Sequence, residues 1–142
     1  MRAAALLLLL AGCGATLPDD VEGYETRCLR LNAAPIPPYD GDPHSGLKNV
    51  YVCNVPAEAV RANTRPFPEG TLVVKESTKP GEEERWLVAT ARKQPVGWHF
   101  DEYTRNFSDE PFRRIAAGQS VCTGCHQHAA AADWIFTRFA AP

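Results

Sequence analysis

The chain is 142 residues long, with 15 basic residues, 17 acidic residues and a formal net charge of −2. That length suits one globular domain, and a balanced charge without a basic stripe points away from nucleic acid as a partner. The 12 prolines, many of them between Pro35 and Pro43 and at Pro56, Pro66 and Pro68, argue against a simple helical bundle.

The chain opens on Arg2 and an apolar run over 3–10, too short to span a bilayer as a helix. Leu10-Ala11-Gly12-Cys13 reads as a lipoprotein cleavage site. On this reading the signal covers 1–12, Cys13 carries a lipid, and 13–20 is the linker to a domain over 21–142. The alternative is an ordinary secretory signal cut near Gly14 or Ala15, with Cys13 incidental. Both readings export the domain to an oxidising compartment, and the first anchors it to a membrane facing the periplasm.

Asp19 and Asp20 predict the cap of a helix over 21–31, followed by the Pro-rich loop. A strand is expected over 47–54 with Val50 and Val52 on one face, then a helix from Pro56 through Asn63. Pro68-Glu69-Gly70 turns into a strand over 71–76, and a charged turn over 79–84 leads to a strand over 85–92. After Pro95 a further strand is expected over 97–103. From Asp109 the pattern predicts helix, broken at Gly118, and a final helix opening at Cys122 and carrying 129–132, Trp134, Ile135 and Phe139. The order predicts an α+β domain, an antiparallel sheet with flanking helices.

The chemistry sits at Cys122-Thr123-Gly124-Cys125-His126. Two thiols three residues apart on a helical turn can each add to one vinyl group of a haem, and the adjacent histidine then reaches the iron. Zinc would need two further suitably spaced ligands, and His128 follows too closely to supply one. One covalent haem c is therefore expected, with His126 as the proximal iron ligand. The only methionine is Met1, which leaves with the signal, so methionine ligation on the other side is excluded. Either that side is open, or His44 or His99 fills it and the chain is a six-coordinate electron-transfer or sensing module. Cys28 and Cys53 remain, an even pair expected to form a disulfide or, alternatively, to stay as two buried thiols.

Three stretches together resemble the cytochrome P-460 and cytochrome c′-beta family: 67–76 (FPEGTLVVKE), 97–100 (GWHF), and 122–126 continuing through 133–139 (DWIFTRF). The resemblance implies a β-sheet haem domain, commonly a homodimer, and a redox haem is expected to work with a redox partner protein. It also implies an open iron acting on a small nitrogen ligand, nitric oxide or hydroxylamine. In the hydroxylamine-oxidising members a strand lysine is cross-linked to the haem, and Lys75 matches it. Lys75 is then either that cross-linked, catalytic lysine or an ordinary solvated one. Phe67 stands where an aromatic could cover the distal face, or is simply core. Asp133 fits a helical or hydrogen-bonding role, and Trp134, Phe136 and Phe139 fit packing around the haem. A carboxylate to serve as general base is not evident: 107–122 offers only Asp109 and Glu110.

Overall fold

The computed structural model describes residues 16–115 and 119–141, so Met1, Cys13 and Gly118 lie outside the described residues. The elements are α1 (Tyr24–Arg27), β1 (Leu29–Arg30), β2 (Leu47–Cys53), α2 (Ala57–Arg61), β3 (Leu72–Thr78), β4 (Arg85–Lys93), β5 (Trp98–Thr104), β6 (Arg113–Arg114) and α3 (Gln119–His126). A 3-10 turn follows at Gln127–Ala132. The strands form one antiparallel sheet in sequence order, β1 to β6, and the fold is α+β.

Strand alternation divides the sheet into two faces. Tyr51, Cys53, Leu72, Val74, Val88 and Tyr103 point to the rear, where Leu17, Val21, Tyr24 and Phe112 cover them. Val50, Val52, Val73, Ala91, Trp98 and Phe100 point to the front, against Leu31, Val60, Phe67 and Ile135. Val50 and Val52 thus share one face, as their spacing predicts.

The rear face carries a disulfide and a buried carboxylate. Cys28, at the end of α1, is disulfide-bonded to Cys53 at the end of β2. A crosslink across 25 residues contributes about 3–4 kcal/mol in the chain-entropy account. Glu76, 7 % exposed, accepts hydrogen bonds from the Tyr24 hydroxyl, from Tyr51 Oη at 3.0 Å and from Asn49 Nδ2 at 2.9 Å. Burial and the adjacent Glu76 carboxylate push the Tyr51 hydroxyl up to about 12.

Three expected helices differ. The first is a single turn, because Gly23 in the left-handed region (φ 70°) starts it and the chain pairs as β1 directly after Cys28. Asp20 caps nothing; its carboxylate grips Arg92 at 3.0 Å. The helix expected from Asp109 does not form over the described residues: Asp109 lies in a turn, and the free edge of β5 takes up Arg113 and Arg114 as β6. The C-terminal helix carries 122–126 at its end, not its beginning. The following 3-10 turn ends at Ala132, where Asp133 and Trp134 both adopt left-handed conformations, with φ of 55° and 68°.

Candidate functional site

The front face carries an unusual cross-strand row: Val50, Lys75, Ala89 and Glu102 lie in register across β2 to β5. The neighbouring row is Val52, Val73, Ala91 and Phe100. Two alanines at the centre leave a hollow, and the first row sets a lysine and a glutamate on either side of it. Among the described residues, two clefts here share His44, Lys75, His126, Phe136 and Thr137 as walls. One, of about 570 Å3, runs over Ala89, Ala91 and Phe100 to Cys122. The other, of about 790 Å3, opens past Tyr39, Asp42 and Cys125.

α3 brings Cys122, Cys125 and His126 to this hollow. Neither thiol is in a disulfide, and burial pushes the Cys122 thiol up. The His126 ring lies 4.5 Å from the Phe100 ring and 5.4 Å from that of Phe136, centre to centre. Its Nδ1 is 2.6 Å from the Trp134 carbonyl, an acceptor, so Nδ1 carries the proton and Nε2 keeps its lone pair. Burial, reinforced by Lys75, holds the imidazole below the ordinary histidine range against the pull of that hydrogen bond. A neutral imidazole with one nitrogen already bonded is the form that ligates a metal.

The loop before β2 adds His44. Its Nδ1 lies 3.4 Å from Lys75 Nζ. Burial, then the charges of Lys75 and His126, depress its pKa to about 3. Lys75 is itself held below the ordinary lysine range, chiefly by burial. The loop is pinned from below. Lys48 pairs with Asp42 and reaches the carbonyls of Pro37 at 3.2 Å and Gly46 at 3.1 Å. Asp42 accepts the His44 N–H at 3.0 Å, and the Ser77 hydroxyl donates to the Ser45 carbonyl at 2.6 Å. Gly46 has φ of 105°, and a Cβ there would collide with the Thr78 carbonyl, so only glycine lets the loop lie this close to β3.

Lys75, Cys122, Cys125 and His126 therefore meet in one place, and Phe67 does not join them. Phe67 is buried in the front core, edge-on to Trp98 and beneath the Arg65 guanidinium, and lines neither cleft. Its backbone N–H donates to Asp133 Oδ2 at 2.8 Å. His99 points to the rear, with Nε2 3.2 Å from Asp101, and His128 is an exposed residue of the 3-10 turn. Of the candidate second histidines, only His44 lines the clefts.

Glu102 is the residue that motif reading missed. Burial raises its carboxyl above the ordinary glutamate range, against the opposing charge of Lys75. Strand parity contained the signal: Glu102 is two residues beyond Phe100 and so shares its face.

The donor set fits a haem. It offers two unpaired thiols, a neutral imidazole with a free Nε2, and walls formed largely by apolar side chains and aromatic rings. Comparison with curated proteins gives no match. The family model described as Cytochrome P460 matches residues 23–137. The match spans the whole sheet, the hollow and α3, and the chain belongs to the cytochrome P460 family of haem-binding, c-type cytochromes.

Proposed function

We propose that this protein is a periplasm-facing, mono-haem cytochrome that binds or transforms nitric oxide or hydroxylamine at an open iron position. Cys122 and Cys125 are the attachment thiols, and His126 is the iron ligand. One observation carries this assignment: the Trp134 carbonyl occupies His126 Nδ1, leaving Nε2 to coordinate in a cleft that Cys122 and Cys125 also border. When bound, the haem supplies an iron that coordinates small ligands and changes redox state.

The surrounding side chains support a nitrogen-oxide chemistry. Met1 is the sole methionine, so no thioether competes for the iron in the mature chain. Oxidation of hydroxylamine releases protons with the electrons and needs a group to receive them. Glu102, half-buried beside the hollow, is suited to that task. Lys75, shifted toward its neutral amine by burial and by Lys48, is suited to bond to the porphyrin edge. A linked Lys75 goes with hydroxylamine turnover, and an unlinked one with ligand binding alone.

The test is the electronic spectrum of the ferrous protein with and without nitric oxide. A high-spin spectrum that changes on adding nitric oxide is expected; a low-spin spectrum that nitric oxide leaves unchanged refutes the open site. Intact mass and the ferrous Soret position read the Lys75 link, which a normal c-type Soret band rules out.

His44 favours a second reading, because its imidazole borders the same clefts as His126. As a sixth ligand it would make the chain an electron-transfer module working with a redox partner protein. His44→Ala would then convert a low-spin iron to high spin, and an unchanged spin state refutes it. Lipid anchoring at Cys13 completes the placement; Cys13→Ser should release the protein from membranes, and unchanged partitioning counts against it.

A further inference from the structure

We propose that Asp133 is the positioning residue for the proximal ligand: it holds the backbone corner that aims the Trp134 carbonyl at His126 Nδ1. The inference rests on the assignment of His126 as the iron ligand.

The corner is one the chain would not adopt by itself. Asp133 (φ 55°, ψ 45°) and Trp134 (φ 68°) are consecutive left-handed residues, and neither is glycine. An aspartate tolerates that region, whereas a bulky tryptophan does so only when its surroundings impose it. Local hydrogen bonds begin the turn, with Asp133 N donating to the Ala130 carbonyl at 3.0 Å and Trp134 N to the Ala129 carbonyl at 2.9 Å. They fix where the helix ends, but not where the Trp134 carbonyl points relative to the sheet.

The Asp133 carboxylate supplies that second constraint. Oδ2 accepts the Phe67 backbone N–H at 2.8 Å. Oδ1 accepts from Lys93 Nζ at 2.6 Å and from Trp98 Nε1 at 3.3 Å. These donors come from the segment leading toward β3, the end of β4 and the start of β5, so one side chain ties the corner to two strands of the sheet and to the chain entering a third. Beyond the corner, Asn63 holds Phe139 in both directions, at 2.7 and 3.1 Å, and Ala140 N donates to the Leu31 carbonyl at 2.8 Å. The chain is thus fixed on both sides of Trp134, and its carbonyl has one direction left.

That direction decides the state of His126. An acceptor 2.6 Å from Nδ1 selects the tautomer with the lone pair on Nε2 and sets the ring's rotation. It also makes the imidazole a stronger electron donor to whatever Nε2 ligates. Lys93 neutralises the carboxylate at a contact, so Asp133 acts on the iron through geometry and not through its charge.

The experiment compares Asp133→Ala and Asp133→Asn in the full haem-loaded protein. Resonance Raman of the ferrous form should show a lower iron–histidine stretching frequency for Asp133→Ala, with a more positive reduction potential. In proton NMR of the diamagnetic ferrous carbonyl form, or of the haem-free chain, the His126 Nδ1–H should exchange ~10-fold or more faster. Asp133→Asn keeps one of the two acceptor oxygens and tolerates the left-handed corner, so each signal should lie between those of the wild type and Asp133→Ala. If Asp133→Ala does not fold, Trp98→Phe removes a single donor and should move the same signals by less. An unchanged stretching frequency and exchange rate, even with a lower Tm, would overturn the proposal. Failure of the haem assignment reads differently: the wild type would lack covalent haem in a denaturing-gel haem stain, while the exchange comparison on the haem-free chain would still decide for or against Asp133.

Discussion

Replacing Lys48 with methionine tests how the His44 loop is held. The Lys48 and Asp42 side chains are only 4 % and 3 % exposed, so the substitution leaves a carboxylate without its cation in a place that water barely reaches. It also removes two donor bonds, to the Pro37 and Gly46 carbonyls. Breaking a buried pair on one side costs about 3–5 kcal/mol, against about 1 kcal/mol or less for a surface pair. Burial opposes ionisation of Asp42, but the bonds from Lys48 and the His44 N–H outweigh it and hold the pKa below the ordinary value. A depressed carboxylate pKa stabilises the fold above the unfolded pKa of about 3.9 and ceases to do so as pH falls through the folded pKa. The cost of Lys48→Met should therefore be full at neutral pH and shrink as pH falls toward and below about 4. Urea unfolding at several pH values measures it. Asp42→Asn combined with Lys48→Met should recover part of the loss, because no buried charge is then left unpaired. A cost under about 1 kcal/mol at neutral pH, or one independent of pH, refutes the reasoning.

Cys28→Ala with Cys53→Ala should lower stability by about 3–4 kcal/mol in denaturant unfolding while leaving the haem spectrum unchanged, because the bond lies with the rear core. Glu76→Leu leaves the Tyr24 and Tyr51 hydroxyls without their acceptor, at about 1–3 kcal/mol for each, read in the same assay. Glu102→Gln should lower hydroxylamine oxidation by about 10²-fold or more with nitric oxide binding retained. In the unaltered protein that activity should fall off with acid at a higher pH than an ordinary glutamate would give, since burial raises the Glu102 carboxyl and its base form is lost earlier. A pH–rate profile identical in the Gln variant removes Glu102 from the chemistry.

The four long strands are legible because each is bounded by its own turn chemistry, such as Pro68-Glu69-Gly70 before β3 and Pro95 before β5. The 122–126 motif is legible because thiol and imidazole chemistry dictates its spacing. What escapes local reading depends on distant partners. Asp20 has the composition of a cap, yet Arg92, 72 positions away, claims it. The segment from Asp109 reads as helix, yet the open edge of β5 draws Arg113 and Arg114 into a short strand. Local bonds from Asp133 N and Trp134 N end the helical turn, but the bonds that tie this corner to Phe67, Lys93 and Trp98 come from 35 to 66 positions away. Phe67 sits close to Lys75 in sequence, but strand parity does not extend through the turn, and the ring joins the core.

The front face makes sense only with an occupant. A sheet face meant solely for packing would place large apolar residues at the centre of its rows, where burial stabilises most. Here the central positions are Ala89 and Ala91, and the row through Ala89 sets Lys75 and Glu102 on either side. Each of those two groups has its charged form disfavoured by burial. The rear face follows the opposite rule: its buried Glu76 is saturated by Tyr24, Tyr51 and Asn49. One sheet therefore saturates its buried Glu76 behind and sets a lysine and a glutamate, both disfavoured as charges, around a hollow in front. Conflicts of that kind between local stability and fold are expected where a site is built. A flat macrocycle bonded to α3 would fill the space the two alanines leave, and would give Lys75 and Glu102 something to act on.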